Sequence, residues 1–311
     1  MVILGDYQGE PAILFSSALV SAAVLPRRGG KVASFFDKET QFEFLFQNPR
    51  PMYSNAKLGD DFASFEACGL DDAFPSIDRG IVEMNGRRVT YPDHGEIWSA
   101  PFQYAIEGDT ARLWYKSPLF GYSYQKSFRI FDKTLSGTWK IINEGQQPFP
   151  YIWALHCLSV YRQDMRIFFP PGVEKVVNVL QSSRLGPPGS EYLFPRDKPL
   201  GVPYDFAEVP SPDSMTMEKY FVKGQVSEGM AGYQFPDEAV AVTLRYDSRV
   251  FPYLGFWVTA GGFRGDYNCA LEPMTGFYDD VRIAMQNGSI KYLNPGEMLR
   301  FSIRLSFEKL Y

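Results

Sequence analysis

The chain has 311 residues, of which 45% are hydrophobic and 22% are charged, and its formal net charge is −5 at pH 7. This composition is typical of a globular protein with a large core, and it excludes disordered and fibrous classes. The basic residues are scattered, so nucleic acid is not expected as a partner. Neither a Ser/Gly linker nor a run of charges divides the chain, which predicts one domain over residues 1–311.

The first apolar segment, residues 11–25, is too short to cross a bilayer, and no Lys or Arg precedes it. We therefore expect a pair of β-strands there, closed by a turn, and no membrane partner. The cysteines Cys68, Cys157 and Cys269 are odd in number and include no CxxC pair. This pattern argues against a disulfide framework or a structural zinc site and indicates a reducing compartment, so a cytoplasmic protein is expected.

Strand signals recur along the chain, where segments rich in aromatic and β-branched residues lie between turn signals. They predict strands at residues 31–36, 112–115, 122–131, 134–142, 239–246, 256–260 and 298–307. Long helical patterns are hard to find. The sequence therefore predicts an all-β fold, a large antiparallel β-sandwich with few short helices.

One long segment, residues 181–214, interrupts this pattern because its prolines forbid regular ladders. Loops of this length in compact domains are usually functional or disordered. The aromatic residues Tyr192, Phe194, Tyr204 and Phe206 favour a packed loop in a position to cover a site.

Histidine occurs only twice, each time in an aromatic-rich segment. His156 follows an apolar strand-like run, and its imidazole titrates near neutrality and can act as an acid or a base, although a buried ring bonded to a carbonyl is the commoner role. His94 lies in a loop before Trp98. Taken alone, a surface histidine is the commoner case, and Trp98 fits the core or a platform for a sugar ring equally well.

Glu272 lies between an apolar run and a turn. A buried carboxylate is costly to desolvate, so Glu272 is predicted to be paired or chemically active, with a solvated or turn-capping carboxylate as the alternative. Its long separation from both histidines means that only the fold can bring the three together. No HExxH helix, GxSxG elbow, P-loop or dinucleotide fingerprint is present, so neither a metal nor a cofactor is expected.

Together these segments resemble the aldose 1-epimerase, or galactose mutarotase, family. The matching features are a Gly-Gly turn after an early strand, His94 in a following loop, His156 at the end of a central strand, the Glu-Pro-Met-Thr-Gly segment at 272–276 and the closing turn at 293–297. The resemblance spans nearly the whole chain.

The resemblance implies a galactose mutarotase-like sandwich and an isomerase that interconverts the α and β anomers of an aldose without a cofactor. It implies that Glu272 is the base, that His156 in its protonated form is the acid, and that His94 binds the sugar. Asp205, in a Pro-Tyr-Asp-Phe segment, is implied as a further sugar ligand. A small sugar is the expected partner, and a monomer or homodimer is expected.

The chain departs from the family in the early loop, where an Asn-Arg pair is replaced by the segment 69–76 with its acidic Asp71 and Asp72. A carboxylate accepts hydrogen bonds where arginine donates them, so Asp72 is expected at the sugar and the sugar preference is expected to change. Two alternatives stay open. One is a non-catalytic sugar-binding or sugar-sensing protein on the same fold, and the other is a glycoside hydrolase that pairs Glu272 with Asp205 or Asp72.

Overall fold

The structure, a computed structural model, describes residues 1–50, 52–84 and 86–310. Strands dominate it. Up to residue 157 the strands are β1 (Val2–Tyr7), β2 (Glu10–Ser16), β3 (Val20–Leu25), β4 (Lys31–Asp37), β5 (Phe42–Glu43), β6 (Leu70–Ala73), β7 (Gly80–Met84), β8 (Arg87–Tyr91), β9 (Gln103–Glu107), β10 (Thr110–Lys116), β11 (Tyr122–Phe131), β12 (Thr134–Asn143), β13 (Phe149–Tyr151) and β14 (Ala154–Cys157).

The rest of the chain continues in the same way. Its strands are β15 (Ser159–Val160), β16 (Arg166–Phe168), β17 (Lys175–Asn178), β18 (Glu191–Leu193), β19 (Arg196–Asp197), β20 (Tyr204–Asp205), β21 (Thr216–Val222), β22 (Met230–Phe235), β23 (Val240–Arg245), β24 (Tyr253–Ala260), β25 (Tyr267–Met274), β26 (Lys291–Leu293) and β27 (Met298–Lys309). Helical structure in the described residues is confined to α1 (Val281–Gln286) and 3-10 turns at Phe62–Ser64, Pro199–Gly201 and Pro212–Ser214. Within these residues we find no helix with the length and apolar character needed to cross a membrane.

Two large antiparallel sheets organise these strands. The larger sheet has the order β1-β2-β3-β4-β6-β14-β25-β24-β21-β17-β18, with β5 and β15 added beside β4 and β25. The smaller sheet has the order β16-β22-β23-β27-β12-β11-β10-β9. Strands that are distant in sequence, such as β6, β14 and β25, are therefore neighbours at the centre of the larger sheet.

The two sheets pack face to face over an aromatic core. Phe35 of β4 stacks on Phe307 of β27 with ring centroids 4.5 Å apart, and Phe42 of β5 lies 4.8 Å from Phe235 of β22. Because alternate residues of a strand face opposite sides of its sheet, one face of each sheet supplies this core and the other face is free for other uses. The predicted large antiparallel β-sandwich is confirmed.

The predicted strands coincide with observed ones. The segments 31–36, 112–115, 122–131, 134–142, 256–260 and 298–307 lie within β4, β10, β11, β12, β24 and β27, and the segment 239–246 contains all of β23. The N-terminal apolar segment forms the antiparallel pair of β2 and β3, as predicted. All three cysteines are buried and free of disulfides.

The segment 181–214 is a packed loop, as its aromatic residues predicted. It contains only the short strands β18 to β20 and two 3-10 turns. Phe206 is fully buried, and the buried hydroxyl of Tyr204 donates a hydrogen bond of 2.5 Å to Glu218 of β21. These contacts fix the loop against the larger sheet.

Candidate active site

A cavity of about 260 Å³ lies on the face of the larger sheet that points away from the sandwich core. Strands β14, β21, β24 and β25 supply its floor, and loops around Phe62, His94 and Asp279 supply its rim. Apolar side chains make up much of its wall, namely Phe62, Ile77, Leu158, Leu180, Met217, Trp257 and Phe263. His94, His156 and Glu272 all line this one cavity, so the fold brings together the three residues singled out in the sequence.

Strand alternation explains why Glu272 faces the cavity. In β25 the odd-numbered Cys269 and Leu271 belong to the sandwich core, whereas the even-numbered Asn268 and Glu272 line the cavity. The same alternation in β14 sends Leu155 into the core and turns the next residue outward. A charged residue inside an apolar strand is thus placed on the face that carries the site.

His156 and Glu272 are set side by side by the strand register. Ala154 pairs with Met274, and Ser159 of the following strand pairs with Cys269 in the same register. That register places His156 opposite Glu272 on neighbouring strands, with both side chains on the cavity face. Directly opposed residues of antiparallel strands are close neighbours, so one small ligand can reach both groups.

Lys219 of β21 is the closest polar neighbour of Glu272. Its ammonium nitrogen lies 2.6 Å from Glu272 Oε2, and both side chains are almost fully buried. Gly255 of β24 is paired with Glu272, and a Cβ on this glycine would lie only 3.4 Å from the same carboxylate oxygen. A side chain at this position would also crowd Phe221, 3.2 Å from the same Cβ.

The ion pair extends toward the cavity rim through Asp279. The Lys219 ammonium lies 2.8 Å from Asp279 Oδ2 and donates a hydrogen bond of 2.9 Å to Oδ1. Burial acts to lower the pKa of Lys219, but the two carboxylates raise it above its usual value. Lys219 is therefore a fixed ammonium between Asp279 and Glu272.

The Glu272 carboxylate has few partners for its lone pairs. Burial raises its pKa, and the Lys219 ammonium opposes that rise. Among the described residues the carboxylate accepts no hydrogen bond with good geometry, and the lysine ammonium is its single salt-bridge partner. Glu272 is paired, as the sequence predicted, yet its remaining lone pairs are open to a ligand.

His156 is the second polar group of the floor without a hydrogen bond. The residue is only 8% exposed, and its Nδ1 is buried without a partner in the described part of the chain. Burial, together with His94 and Lys219, lowers the pKa of His156 well below its usual value of 6.5. The ring of the free protein is therefore neutral near pH 7, and its role as the acid stays a prediction.

His94 is held at the rim by its neighbours on both sides. Its Nδ1 lies 2.9 Å from Asp93 Oδ1, and its ring stacks on Phe62 with centroids 4.0 Å apart. The backbone turns sharply here, because His94 has a φ of 53° and the next residue, Gly95, has a φ of 72°. A Cβ on Gly95 would lie 2.0 Å from the carbonyl oxygen of Phe74, so this position requires glycine.

Asp93 organises this rim loop. Burial acts to raise the pKa of Asp93, but its bond to His94 and the hydrogen bond donated by the Phe62 amide at 2.6 Å outweigh that effect and lower it. The imidazole rings of His94 and His156 lie 5.3 Å apart, nearly at right angles. The loop thus holds one histidine over the other.

Three residues expected at the sugar do not line the cavity. Asp205 lies in the packed loop, where its carboxylate accepts a 2.7 Å hydrogen bond from the exposed Arg196. Asp72 points into the sandwich core and is bonded to Lys126 at 2.6 Å. Trp98 lies behind Phe62 and donates a 3.0 Å hydrogen bond to the Asp93 carbonyl, so it supports the rim without reaching the cavity.

These positions also bear on the alternatives considered from the sequence. Because neither Asp205 nor Asp72 lines the cavity, the pairs that a glycoside hydrolase would have made with Glu272 are not formed. No residue of the segment 181–214 lines the cavity, although Leu180 just before it does. The packed loop therefore stabilises the sheet and does not cover the site.

Sequence reasoning missed Lys219, Asp279, Asp93 and Asp78, all of which line the cavity. For Lys219 the sequence did contain a signal. Lys219 interrupts a strand whose other residues are mostly buried, and a lysine in such a strand needs a buried carboxylate partner. Asp279 and Asp78 lie in turns, where acidic residues are common and carry no signal of their own.

Comparisons with solved structures show the fold. A galactose mutarotase-like protein of Clostridium acetobutylicum superposes with a TM-score of 0.69 at 16% identity, covering 100% of this chain and 99% of that one. The provisionally assigned aldose 1-epimerase of Escherichia coli K12 gives a TM-score of 0.72 at 19% identity over 96% and 99%. A galactose mutarotase related enzyme of Lactobacillus acidophilus gives 0.70 at 14% over 96% and 97%.

These likenesses establish that the chain has the galactose mutarotase-like fold, which confirms the fold implied by the resemblance. No protein-family profile and no curated protein matches the chain by sequence.

Proposed function

We propose that the protein is a mutarotase that interconverts the α and β anomers of an aldose at this cavity. The observation that carries the proposal is the placement of His156 opposite Glu272 on adjacent central strands, where His156 makes no hydrogen bond to another described residue and Glu272 has the Lys219 ammonium as its single described polar partner. Ring opening of a hemiacetal needs one group that removes a proton and one that supplies a proton, and these two groups provide both.

Glu272 is the base in this mechanism. Its carboxylate takes the proton of the anomeric hydroxyl, and the Lys219 ammonium opposes the rise in the pKa of Glu272 that burial causes. As the anomeric oxygen becomes a carbonyl, the bond between C1 and the ring oxygen breaks. Rotation about C1–C2 then presents the other face of the aldehyde for ring closure.

His156 is the acid that supplies a proton to the ring oxygen. Because burial, His94 and Lys219 lower the pKa of His156, the ring acts as the acid only in the fraction of the protein in which it is protonated. Each group exchanges its own proton with the sugar, because His156 donates to the ring oxygen and Glu272 accepts from the anomeric hydroxyl. Ring closure returns the proton by the reverse path, and no net proton is consumed.

The rest of the cavity suits a pyranose. A sugar ring presents apolar C–H faces as well as hydroxyls, and the cavity offers Trp257 and Phe263 beside its polar groups. His94 is fixed by Asp93 and faces the same space, in a position to hydrogen-bond a hydroxyl.

The test is the rate at which freshly dissolved α-D-glucose and α-D-galactose reach anomeric equilibrium, followed by polarimetry or NMR. We expect the wild-type protein to accelerate this approach and the Glu272→Gln variant to lose about 10² to 10⁴ of the acceleration. A variant that retains the wild-type rate would remove Glu272 from its role. Sugar binding without any acceleration would favour the non-catalytic alternative on the same fold.

A further inference from the structure

The charges around the cavity are strongly unbalanced. Its lining includes five carboxylates and a single ammonium group. The carboxylates are Asp61, Asp78, Asp93, Glu272 and Asp279, and the ammonium group is that of Lys219. A cavity with this excess of negative charge raises the local concentration of cations and repels anions.

The one lysine offers nothing to an anionic ligand. Its ammonium is already held between Glu272 and Asp279 at 2.6 to 2.9 Å, and only about 6% of its side chain is exposed. A phosphate or carboxylate on a sugar would have to break this pair to reach the cation. While this ion pair is intact, a ligand meets negatively charged carboxylate oxygens at the cavity floor.

Asp78 is the carboxylate without a partner. It is exposed at the rim, and its backbone amide donates a 3.0 Å hydrogen bond to the Asp279 carbonyl, which fixes the two residues side by side. In the described part of the chain its side chain has no hydrogen bond and no salt bridge. Desolvation and the neighbouring charge of Asp279 raise the pKa of Asp78 to about 6, against the opposing charges of Lys219 and His94.

A second observation points to a polar ligand beside these carboxylates. His156 is 8% exposed, lines the same cavity and makes no hydrogen bond to any other described residue. Buried polar groups are normally satisfied, so an unsatisfied imidazole on the floor indicates a polar ligand within reach.

We propose that the cavity selects a sugar that carries an ammonium group, an amino sugar, with the ammonium paired to Asp78, and that it rejects phosphorylated sugars and sugar acids. The inference rests on the proposed function only in that it uses the same cavity. An ammonium at Asp78 gives this carboxylate the ion pair that no described residue forms with it, while the hydroxyls and the anomeric centre lie over Glu272 and His156.

The nearest rival is a sugar phosphate held at the rim by Arg79. This arginine is exposed and does not line the cavity, and its positive charge acts to lower the pKa of Asp93. A phosphate there would meet Asp78 and Asp93 as well as the arginine. The surplus of carboxylates therefore favours the cationic ligand.

The experiment compares sugars of nearly equal shape and different charge. Anomer exchange is measured by NMR for D-glucosamine, D-glucose and D-glucose 6-phosphate, and binding of the same sugars is measured separately by calorimetry. We expect affinity for glucosamine about fivefold or more above that for glucose, with glucose 6-phosphate the weakest. The preference should shrink as salt is raised from 0.05 to about 0.5 M.

Two variants locate the effect. Asp78→Asn should reduce the ratio of glucosamine to glucose affinity toward one. Glu308→Gln removes one negative charge from the exposed end of the smaller sheet and should leave the ratio as it is. An unchanged ratio in Asp78→Asn would overturn the role of this residue.

The two proposals fail in different ways. Selective binding of glucosamine without anomer exchange would support the inference and reject the mutarotase. Equal binding and exchange of glucose and glucosamine, or tighter binding of glucose 6-phosphate, would reject the inference and leave the mutarotase standing. Binding of none of these sugars would overturn both.

Discussion

Two buried lysine–carboxylate pairs lie on opposite faces of the larger sheet and differ in what surrounds them. On the core face, Asp72 of β6 accepts a 2.6 Å hydrogen bond from Lys126 of β11. Tyr124 and Trp139 donate two more hydrogen bonds to the same carboxylate. Three donors from the smaller sheet share the Asp72 carboxylate, so this pair ties the two sheets together.

On the cavity face, Glu272 meets only the ammonium of Lys219 at 2.6 Å. No tyrosine or indole completes its shell among the described residues, and the adjacent His156 is also without a hydrogen bond. The difference teaches that burial and pairing do not distinguish a structural carboxylate from a chemical one. A chemical carboxylate is distinguished by the hydrogen-bonding capacity that its neighbours leave unfilled.

The largest effect, on the rate of anomer exchange, is expected for a change of His156 on the cavity face. His156→Gln keeps a polar side chain on the cavity floor but removes a group that can transfer a proton. We expect anomer exchange to fall by about 10² to 10⁴, with a smaller change in sugar affinity, in NMR exchange and calorimetry. Exchange at the wild-type rate would show that another group supplies the proton, and the ammonium of Lys219 would be the first to test.

The next effect concerns the pair in the core. Asp72→Asn leaves the Lys126 ammonium buried without its counter-charge, and breaking one partner of a buried pair costs about 3 to 5 kcal/mol of unfolding free energy. Urea denaturation measures this loss, and any protein that remains folded should keep its anomer exchange. A fall in exchange that exceeds the fall in folded protein would mean that Asp72 acts at the site after all.

The contrast between these two carboxylates also marks the limit of the sequence. The alternating strand patterns and the Glu-Pro-Met-Thr-Gly segment predicted the sandwich and the candidates His156 and Glu272. Asp72 was expected at the sugar because the early loop of the family holds sugar ligands. Which side of the sheet each residue of β6 faces depends on its register with β14, in which Leu155 pairs with Asp72 and His156 with Asp71.

Lys219 and Asp279 could not be assigned to the cavity from the sequence for a related reason. Lys219 meets Glu272 through a strand, β24, that separates them in the sheet, and Asp279 joins them from a turn. Such contacts depend on strand order, which local patterns do not reveal. The loop at Asp205 was misplaced because a short Pro-aromatic-Asp-Phe match carries no information about where a long loop packs.

A smaller effect is expected when the cavity pair is broken from its lysine side. Without the ammonium, Lys219→Met leaves Glu272 with a pKa raised further by burial, and it removes one of the positive charges that lower the pKa of His156. Both limbs of the profile of kcat/KM against pH should therefore move to higher pH, because the base is active only when ionised and the acid only when protonated. Stopped-flow polarimetry across pH 4 to about 9 measures this profile.

Lys219→Arg is the matched control for this change. It keeps the positive charge beside Glu272, so the limbs should stay near their wild-type positions even if the absolute rate falls. Movement of the profile in the arginine variant to the same extent as in the methionine variant would contradict an electrostatic role for Lys219.

The smallest effect on anomer exchange is expected for a change of Asp205. The family resemblance implies that this residue binds the sugar, whereas the structure places it outside the cavity. Its carboxylate accepts hydrogen bonds from Arg196 and from the Ala207 amide, and it lies outside the cavity. Asp205→Asn keeps an acceptor for the amide and should leave anomer exchange and sugar affinity within about twofold of wild type. A larger loss of affinity, with the folded protein intact, would require the loop to move against the sheet when sugar binds. Since Phe206 and Tyr204 anchor that loop on β21 through buried contacts, we expect it to stay in place.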